Sequence, residues 1–199
     1  MSKNSPGVCI QTSDGYRFLS FIRGQDKGKI ATHYTTMKDR GVEIYFYPSV
    51  QPAKMEYSES EVWKANDAME YAEWIISHLP DETDGVGIEG FSYGSSGNSF
   101  IDIVGYGYAV RTAIVKKYGK DKFCVFSPGN VKKMAGKGNA NKELIMEFFM
   151  NLTEDNNVTH TFFWKGLHSG EIDRTKKPVD DIVDSYYIQK CTYEKFTSI

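Results

Sequence analysis

Cysteine is scarce in this chain: Cys9, Cys124 and Cys191 are the only three in 199 residues, and no two form a Cys-x-x-Cys pair. An odd, dispersed set neither frames a disulfide scaffold nor builds a zinc site, so these read as reduced thiols of an intracellular protein. No run approaches the roughly 18 apolar residues of a transmembrane helix. The opening MSKNSPGVCIQTSDG lacks the apolar stretch of a signal peptide. Strong charge of one sign is also missing: the net charge is −2, which does not announce a nucleic-acid binder. Repeats and low-complexity tracts are absent. What remains, with 40% hydrophobic and 25% charged residues, is the composition of a soluble globular chain, read as a single domain over residues 1–199.

The modest net charge hides an asymmetry. Between Arg111 and Lys142 there are nine basic residues and one acid, Asp121, so this segment carries +8 and the rest of the chain −10. One small domain can then present a basic and an acidic face, although a solvated helix end followed by a Lys-rich loop accounts for the same charges.

The pattern of apolar residues predicts the elements. Residues 8–12 and 16–23 are β-prone and separated by Ser13-Asp14-Gly15, a hairpin signal. Residues 29–37 and 42–47 are further strand candidates. Ser58 and Glu61 have capping-box spacing, and Val62, Ala65, Met69, Ala72, Ile76 and Leu79 recur at three and four, predicting a helix with one apolar face. A short buried strand is expected over 85–91, a helix from Asn98 to Tyr118 with Gly119 at its C-cap, and a strand over 122–127. A helix begins near Ala140 after a Gly- and Lys-rich loop, residues 151–177 form a long polar stretch, and a last helix starts after Pro178 and runs to about Lys190. This order predicts an α/β three-layer domain, a mixed β-sheet flanked by helices.

Three groups of residues are candidates for chemistry. Glu89 sits at the carboxyl end of a predicted buried strand, where ligand sites of α/β sheets gather and where an acid is costly unless paired or bound to a cation. Asp181 and Asp184 are three apart on a predicted helix and Asp180 and Asp184 four apart, so either pair lies on one face; acids are common in a first turn, where the macrodipole favours them, but hard oxygen donors converging from a strand and a helix are also what magnesium needs. The segment 127–145, SPGNVKKMAGKGNANKELI, carries three glycines and four lysines between a strand and a helix. Glycines admit a close backbone approach to phosphate and lysines supply charge, yet it lacks the Gly-Lys-Ser/Thr of a Walker A loop.

Pro128, Val131-Lys132-Lys133, Gly136, Gly138-Asn139-Ala140 and Lys142-Glu143, together with Ile88-Glu89-Gly90 and Asp181-Ile182-Val183-Asp184, resemble in order and spacing the signatures of RuvC-type Holliday junction resolvases. The resemblance covers about Val86 to Gln189. It implies a ribonuclease H-like fold and a magnesium-dependent endodeoxyribonuclease, manganese substituting, that binds four-way or other branched DNA as a homodimer in recombination and repair. The implied place is the cytoplasm of a bacterium or a phage-infected host, with no membrane partner. Glu89, Asp181 and Asp184 would be the catalytic, metal-holding acids. Lys132, Lys133 and Lys142 would contact DNA phosphates, and Phe91 and Tyr93 would stack on opened bases; Phe91 also reads as core packing. The family's first catalytic acid, an Asp on an N-terminal central strand, has no counterpart. Ser5–Ile10 looks like the start of the strand that follows it, so the resemblance implies a longer chain upstream or loss of that acid. Asp14, at the hairpin tip, lies a full strand from the site.

Two other readings stand beside this one. A junction-binding protein with impaired cleavage fits the same lysines. Gly90-Phe91-Ser92-Tyr93-Gly94 also matches the nucleophile elbow of an α/β serine hydrolase, with Asp155 and His160 or His168 completing a triad. That reading leaves the basic loop and paired aspartates unexplained, and no oxyanion segment precedes it. His160 otherwise reads as a packed histidine, His168 as a surface one, and Phe162, Phe163 and Trp164 as lining a groove or contact.

Overall fold

The structure is a computed structural model that describes residues 4–24, 28–50, 52–91, 98–153 and 156–197. Strands β1 (Gly7–Thr12) and β2 (Gly15–Arg23) form the expected antiparallel hairpin, registered Gly7 against Ser20 and Thr12 against Gly15. Gly15 holds a φ of 123°, open to glycine alone at little cost, and so permits the tight reversal. Strand β3 (Val42–Tyr47) lies parallel to β2, giving the order β1-β2-β3. Strands β4 (Val86–Glu89) and β5 (Phe123–Phe126) form a separate parallel pair. The expected single mixed sheet is thus two sheets among the described residues, with β1 at an edge of one and β4 at an edge of the other.

Residues 29–37, expected as a strand, are instead helix α1 (Ala31–Asp39) after a short 3-10 turn. The correction has two causes. Parallel pairing of β2 with β3 demands a crossover, which a helix supplies. The helix-averse Thr35 and Thr36 turn their hydroxyls back onto the Ala31 and Thr32 carbonyls, while His33, Tyr34 and Met37 face inward.

Helix α2 (Tyr57–Ser77) begins earlier than expected, its capping box formed by Glu56 and Glu59 rather than Ser58 and Glu61. Its buried face is also rotated: Asp67, Ala68, Tyr71, Ala72, Ile75 and Ile76 are inside, whereas Val62 and Met69 are 72% and 60% exposed. The polar anchor explains the turn. Asp67 accepts from the Arg23 guanidinium at 2.6 Å and from Ser49 at 2.7 Å, and Arg23 lies 4.0 and 4.2 Å from the Tyr71 and Tyr106 ring centres. A buried Arg–Asp pair between aromatic rings fixes the helix face more firmly than two exchangeable aliphatic positions.

Helix α3 (Asn98–Tyr118) has the expected bounds, and Gly119, at φ 85°, closes it by donating its N–H to the Val115 carbonyl. The segment expected as a loop after β5 contains helix α4 (Pro128–Ala135), capped by the Ser127 hydroxyl. Helix α5 (Lys142–Met150) follows, N-capped by Asn141. Within the polar 151–177 stretch lies α6 (Phe162–His168), and α7 (Val179–Thr197) outruns its expected end.

Two cores separate across the sheets. Phe18, Ile22, Val42 and Ile44 pack with side chains of α1, α4, α5, α6 and α7, including Phe149, Phe163 and Tyr186. Leu19, Phe21 and Ile88 pack with α2 and α3 through Tyr71, Ile75, Val110 and Ile114. The alternation along β2, buried on both faces, is what a strand covered by helices on either side requires. The fold is therefore mixed α/β, with helices on both faces of small sheets.

Candidate active site

Helix α7 brings the two acidic signatures together. Its start lies against β1: a Cβ on Gly7 would strike the Asp181 carbonyl and the Ile182 nitrogen. Farther along, Gln189 donates to the Gln11 side chain, so α7 runs in the direction of β1. Its C-terminal half crosses β4, where Thr192 fills the space beside Gly87 and Phe196 that beside Gly85. Asp184 therefore arrives at the carboxyl end of β4, facing Glu89. Glu89, Asp181, Asp184 and Lys142 line the same cavity, of about 920 Å³.

The electrostatics of the four acids differ. Asp184 is largely buried, and its carboxyl is pushed up to about 6, first by lost hydration and then by the charge on Glu89, against a weaker pull from Lys142. Burial also works against Asp180, but hydrogen bonds from Lys142 and Lys177 outweigh it and hold that carboxyl below its ordinary range. Lys142 Nζ stands 2.5 Å from Asp180 Oδ2, and Lys177 Nζ 2.9 Å from the same oxygen. Lys142 loses hydration too, yet the bond to Asp180 and the charges of the three aspartates raise it overall. Asp181 accepts from Ser5 Oγ at 2.8 Å and from Lys177 Nζ at 2.7 Å.

The cluster thus has two parts: Asp180 and Asp181, held by lysines, and Asp184, whose ionisation is opposed by burial and by the Glu89 charge and would be favoured by a cation. Ser5 and Lys177 are not among the site residues expected from the sequence. The i,i+3 and i,i+4 spacing of Lys177 to Asp180 and Asp181 was a local signal for the lysine; Ser5, 176 residues from its partner, had none.

The other expected site residues are more scattered. Lys132, half-buried, and Lys133, exposed, stand on α4 and do not line the cavity. Phe91 packs over Gly107 of α3, its ring 5.7 Å from that of Tyr108, with the Arg111 guanidinium 4.3 Å from its centre. Phe91 is thus half-buried against the outer face of α3 and belongs to neither core. Tyr93, Ser92 and Asp155 lie outside the described residues. His168 bonds the Met150 carbonyl at 2.7 Å and stacks on Trp164. His160 lines a smaller pocket with Asp14 at the hairpin tip. Asp14 is accordingly not among the acids at the β4–α7 crossing. Phe163 is buried in the core while Phe162 is 66% exposed.

For magnesium, the donor chemistry suits the site: carboxylate oxygens, one of them desolvated beside a second acid. Among the described residues no three His, Cys, Asp or Glu side chains group closely enough to hold a metal ion. Glu89 and Asp184 line the cavity with Asp181, whose carboxylate is engaged by Ser5 and Lys177. Among the described residues no helix is long and apolar enough to cross a membrane. No protein-family model, curated protein or solved structure matches the chain.

Proposed function

We propose that the protein is a ribonuclease H-like, magnesium-dependent endonuclease of branched DNA, similar to RuvC-type junction resolvases. One observation carries the reading: Glu89 from β4, Asp184 from α7 and Lys142 from α5 line one cavity although they are far apart in sequence. Those are the segments on which the resemblance rests. A buried carboxyl whose ionisation is opposed, retained beside a strand-end acid, supports a cation-dependent role.

Glu89 and Asp184 would hold magnesium, with Asp181 released from Lys177 as a further donor. Bound magnesium would activate water and stabilise the charge that develops at the scissile phosphate. The chain's own residues do the positioning. Lys142 stands 2.5 Å from Asp180 and its side chain is 64% exposed, so it can exchange that carboxylate for a DNA phosphate at small cost. Lys132 and Lys133 extend the basic surface along α4. A homodimer would place two such sites on the two strands of a four-way junction.

A second reading, a junction binder that cuts poorly, fits the same lysines. The Asp184→Asn variant separates the two. A nuclease loses magnesium-dependent nicking of a synthetic four-way junction but keeps binding in a gel shift. A pure binder shows no nicking before or after the change.

A further inference from the structure

The two groups that hold Asp181 differ in kind. Ser5 Oγ and Lys177 Nζ both donate to its Oδ2, at 2.8 and 2.7 Å. Ser5 is buried and neutral, on the chain that leads into β1. Lys177 is charged, its side chain is 45% exposed, and it reaches two acids at once, Asp181 and, at 2.9 Å, Asp180. Among the described residues Lys142 is ion-paired with Asp180 and not with Asp181. An ammonium ahead of a helix N-terminus opposes the macrodipole. What holds Lys177 there is its i,i+3 and i,i+4 spacing to the two aspartates. Both pairs are part-exposed, a kind that is weak one by one, and lysine is a point charge on a flexible stem, able to leave one oxygen for another. Lys177 lines the same cavity as Glu89, Asp181 and Asp184. Its ammonium therefore occupies one of the carboxylates on which the magnesium reading draws.

We propose that Lys177 is a resident counter-ion, exchanged for a divalent cation at Asp181, and that the released ammonium binds a DNA phosphate in the same cavity. The inference rests on the magnesium reading of the site and adds its regulation: metal and DNA binding are coupled through one side chain. A divalent ion on Asp181 would stand about 2 Å from a carboxylate oxygen. The ammonium would then be a few ångström from it, and two cations that close repel each other. Lys177 gives up Asp181. Its remaining hold on Asp180 is one part-exposed pair, which a phosphate can replace. Ser5, being neutral, keeps its hydrogen bond and holds the Asp181 carboxylate in place through the exchange. In the metal-free protein the charge of Lys177 is already neutralised by two acids and offers little to an anion. Once released, it acts on the substrate. Metal therefore tightens DNA binding by more than the neutralised acids account for, and by linkage DNA tightens metal binding by the same factor.

The test uses the whole chain and its Lys177→Met and Lys142→Met variants, each checked for folding by circular dichroism. Lys177→Gln, polar and of similar reach, takes the place of Lys177→Met if that variant does not fold. Binding of manganese alone is followed by electron paramagnetic resonance of the free ion. Binding of a synthetic four-way junction is followed by gel shift in EDTA and in calcium. Lys177→Met is expected to bind manganese roughly tenfold more tightly than the wild type, because the metal no longer breaks two part-exposed ion pairs. Lys142→Met, which takes the same charge from Asp180 alone, should gain far less. In DNA binding the order reverses: calcium should tighten the wild type at least about fivefold more than it tightens Lys177→Met. A lysine with a merely structural role would not move the two affinities in opposite directions. Equal manganese binding by wild type and Lys177→Met, an equal gain in Lys142→Met, or a calcium effect on DNA binding that survives Lys177→Met would each overturn the exchange and leave the metal site standing. No manganese binding by any form would overturn the magnesium reading, and the exchange with it.

Discussion

Replacing Asp184 by asparagine should make the metal-free protein more stable at neutral pH, the opposite of what most substitutions of a half-buried residue do. The folded protein holds the Asp184 carboxyl at about 6, against an ordinary 3.8, because burial and the Glu89 charge oppose its ionisation. The folded state therefore binds this proton more tightly than the unfolded chain does. The associated stability is fully present below about pH 4 and is lost as pH rises through about 6. At about 1.4 kcal/mol per pH unit, the rise from 3.8 to about 6 amounts to about 3 kcal/mol of destabilisation at pH 8. The amide is nearly isosteric and carries no charge, so Asp184→Asn removes that penalty. For a chain of this size the gain corresponds to roughly 6–12 °C in Tm. The assay is urea and thermal unfolding in EDTA at pH 4 and pH 8. The variant should exceed the wild type at pH 8 and match it near pH 4. Magnesium at a hundred times its Kd should then return about 2.7 kcal/mol to the wild type and little to the variant. An Asp184→Asn protein equal to or less stable than the wild type at pH 8 in EDTA would refute the reasoning, for burial and the Glu89 charge would then not be opposing ionisation of Asp184.

Asp67→Ala strands the Arg23 guanidinium inside the protein and should cost about 3–5 kcal/mol in urea unfolding; Asp67 and Arg23 are both nearly buried at 2.6 Å. Burial raises the Asp67 carboxyl, but hydrogen bonds from Tyr106, Ser49 and Arg23 bring it below its ordinary range. Its contribution is therefore present above the usual carboxylate range and is lost as pH falls through the lowered value, which an acid titration of the wild type against Asp67→Asn will show. Gly7→Ala drives a methyl into the Asp181 backbone and should cost about 1–3 kcal/mol by overpacking, read by the same unfolding assay. Lys132→Ala and Lys142→Ala should each weaken junction binding and lower its salt slope by about one unit; unchanged binding in both would make the basic run an ordinary solvated surface.

Where sequence and structure agree, the signal was local. The Asp-Gly turn, the α3 bounds with their Gly119 stop, and the short apolar runs of β3, β4 and β5 are each fixed by neighbours within a few residues. The failures share a different cause. Ala31–Asp39 is rich in β-prone threonine and tyrosine, and only the parallel pairing of β2 with β3, a long-range fact, makes it a helix. The face of α2 was misplaced because Asp67, polar in sequence, is buried by Arg23, 44 residues away. At the site, Glu89 and Asp184 were legible as residue types at telling positions, and both line one cavity, where the Glu89 charge acts on Asp184. Ser5 was invisible, since its hydroxyl matters only once β1 lies against α7. The division of the acids into a lysine-held pair and a buried acid whose ionisation is opposed depends on side-chain geometry that spacing alone does not contain.

The most direct measurement is cleavage of an end-labelled synthetic four-way junction by this protein in magnesium and in EDTA. The account predicts paired nicks at symmetric positions on two strands in magnesium, absent in EDTA or after Asp184→Asn. Undiminished nicking in EDTA, or none in magnesium, would contradict it.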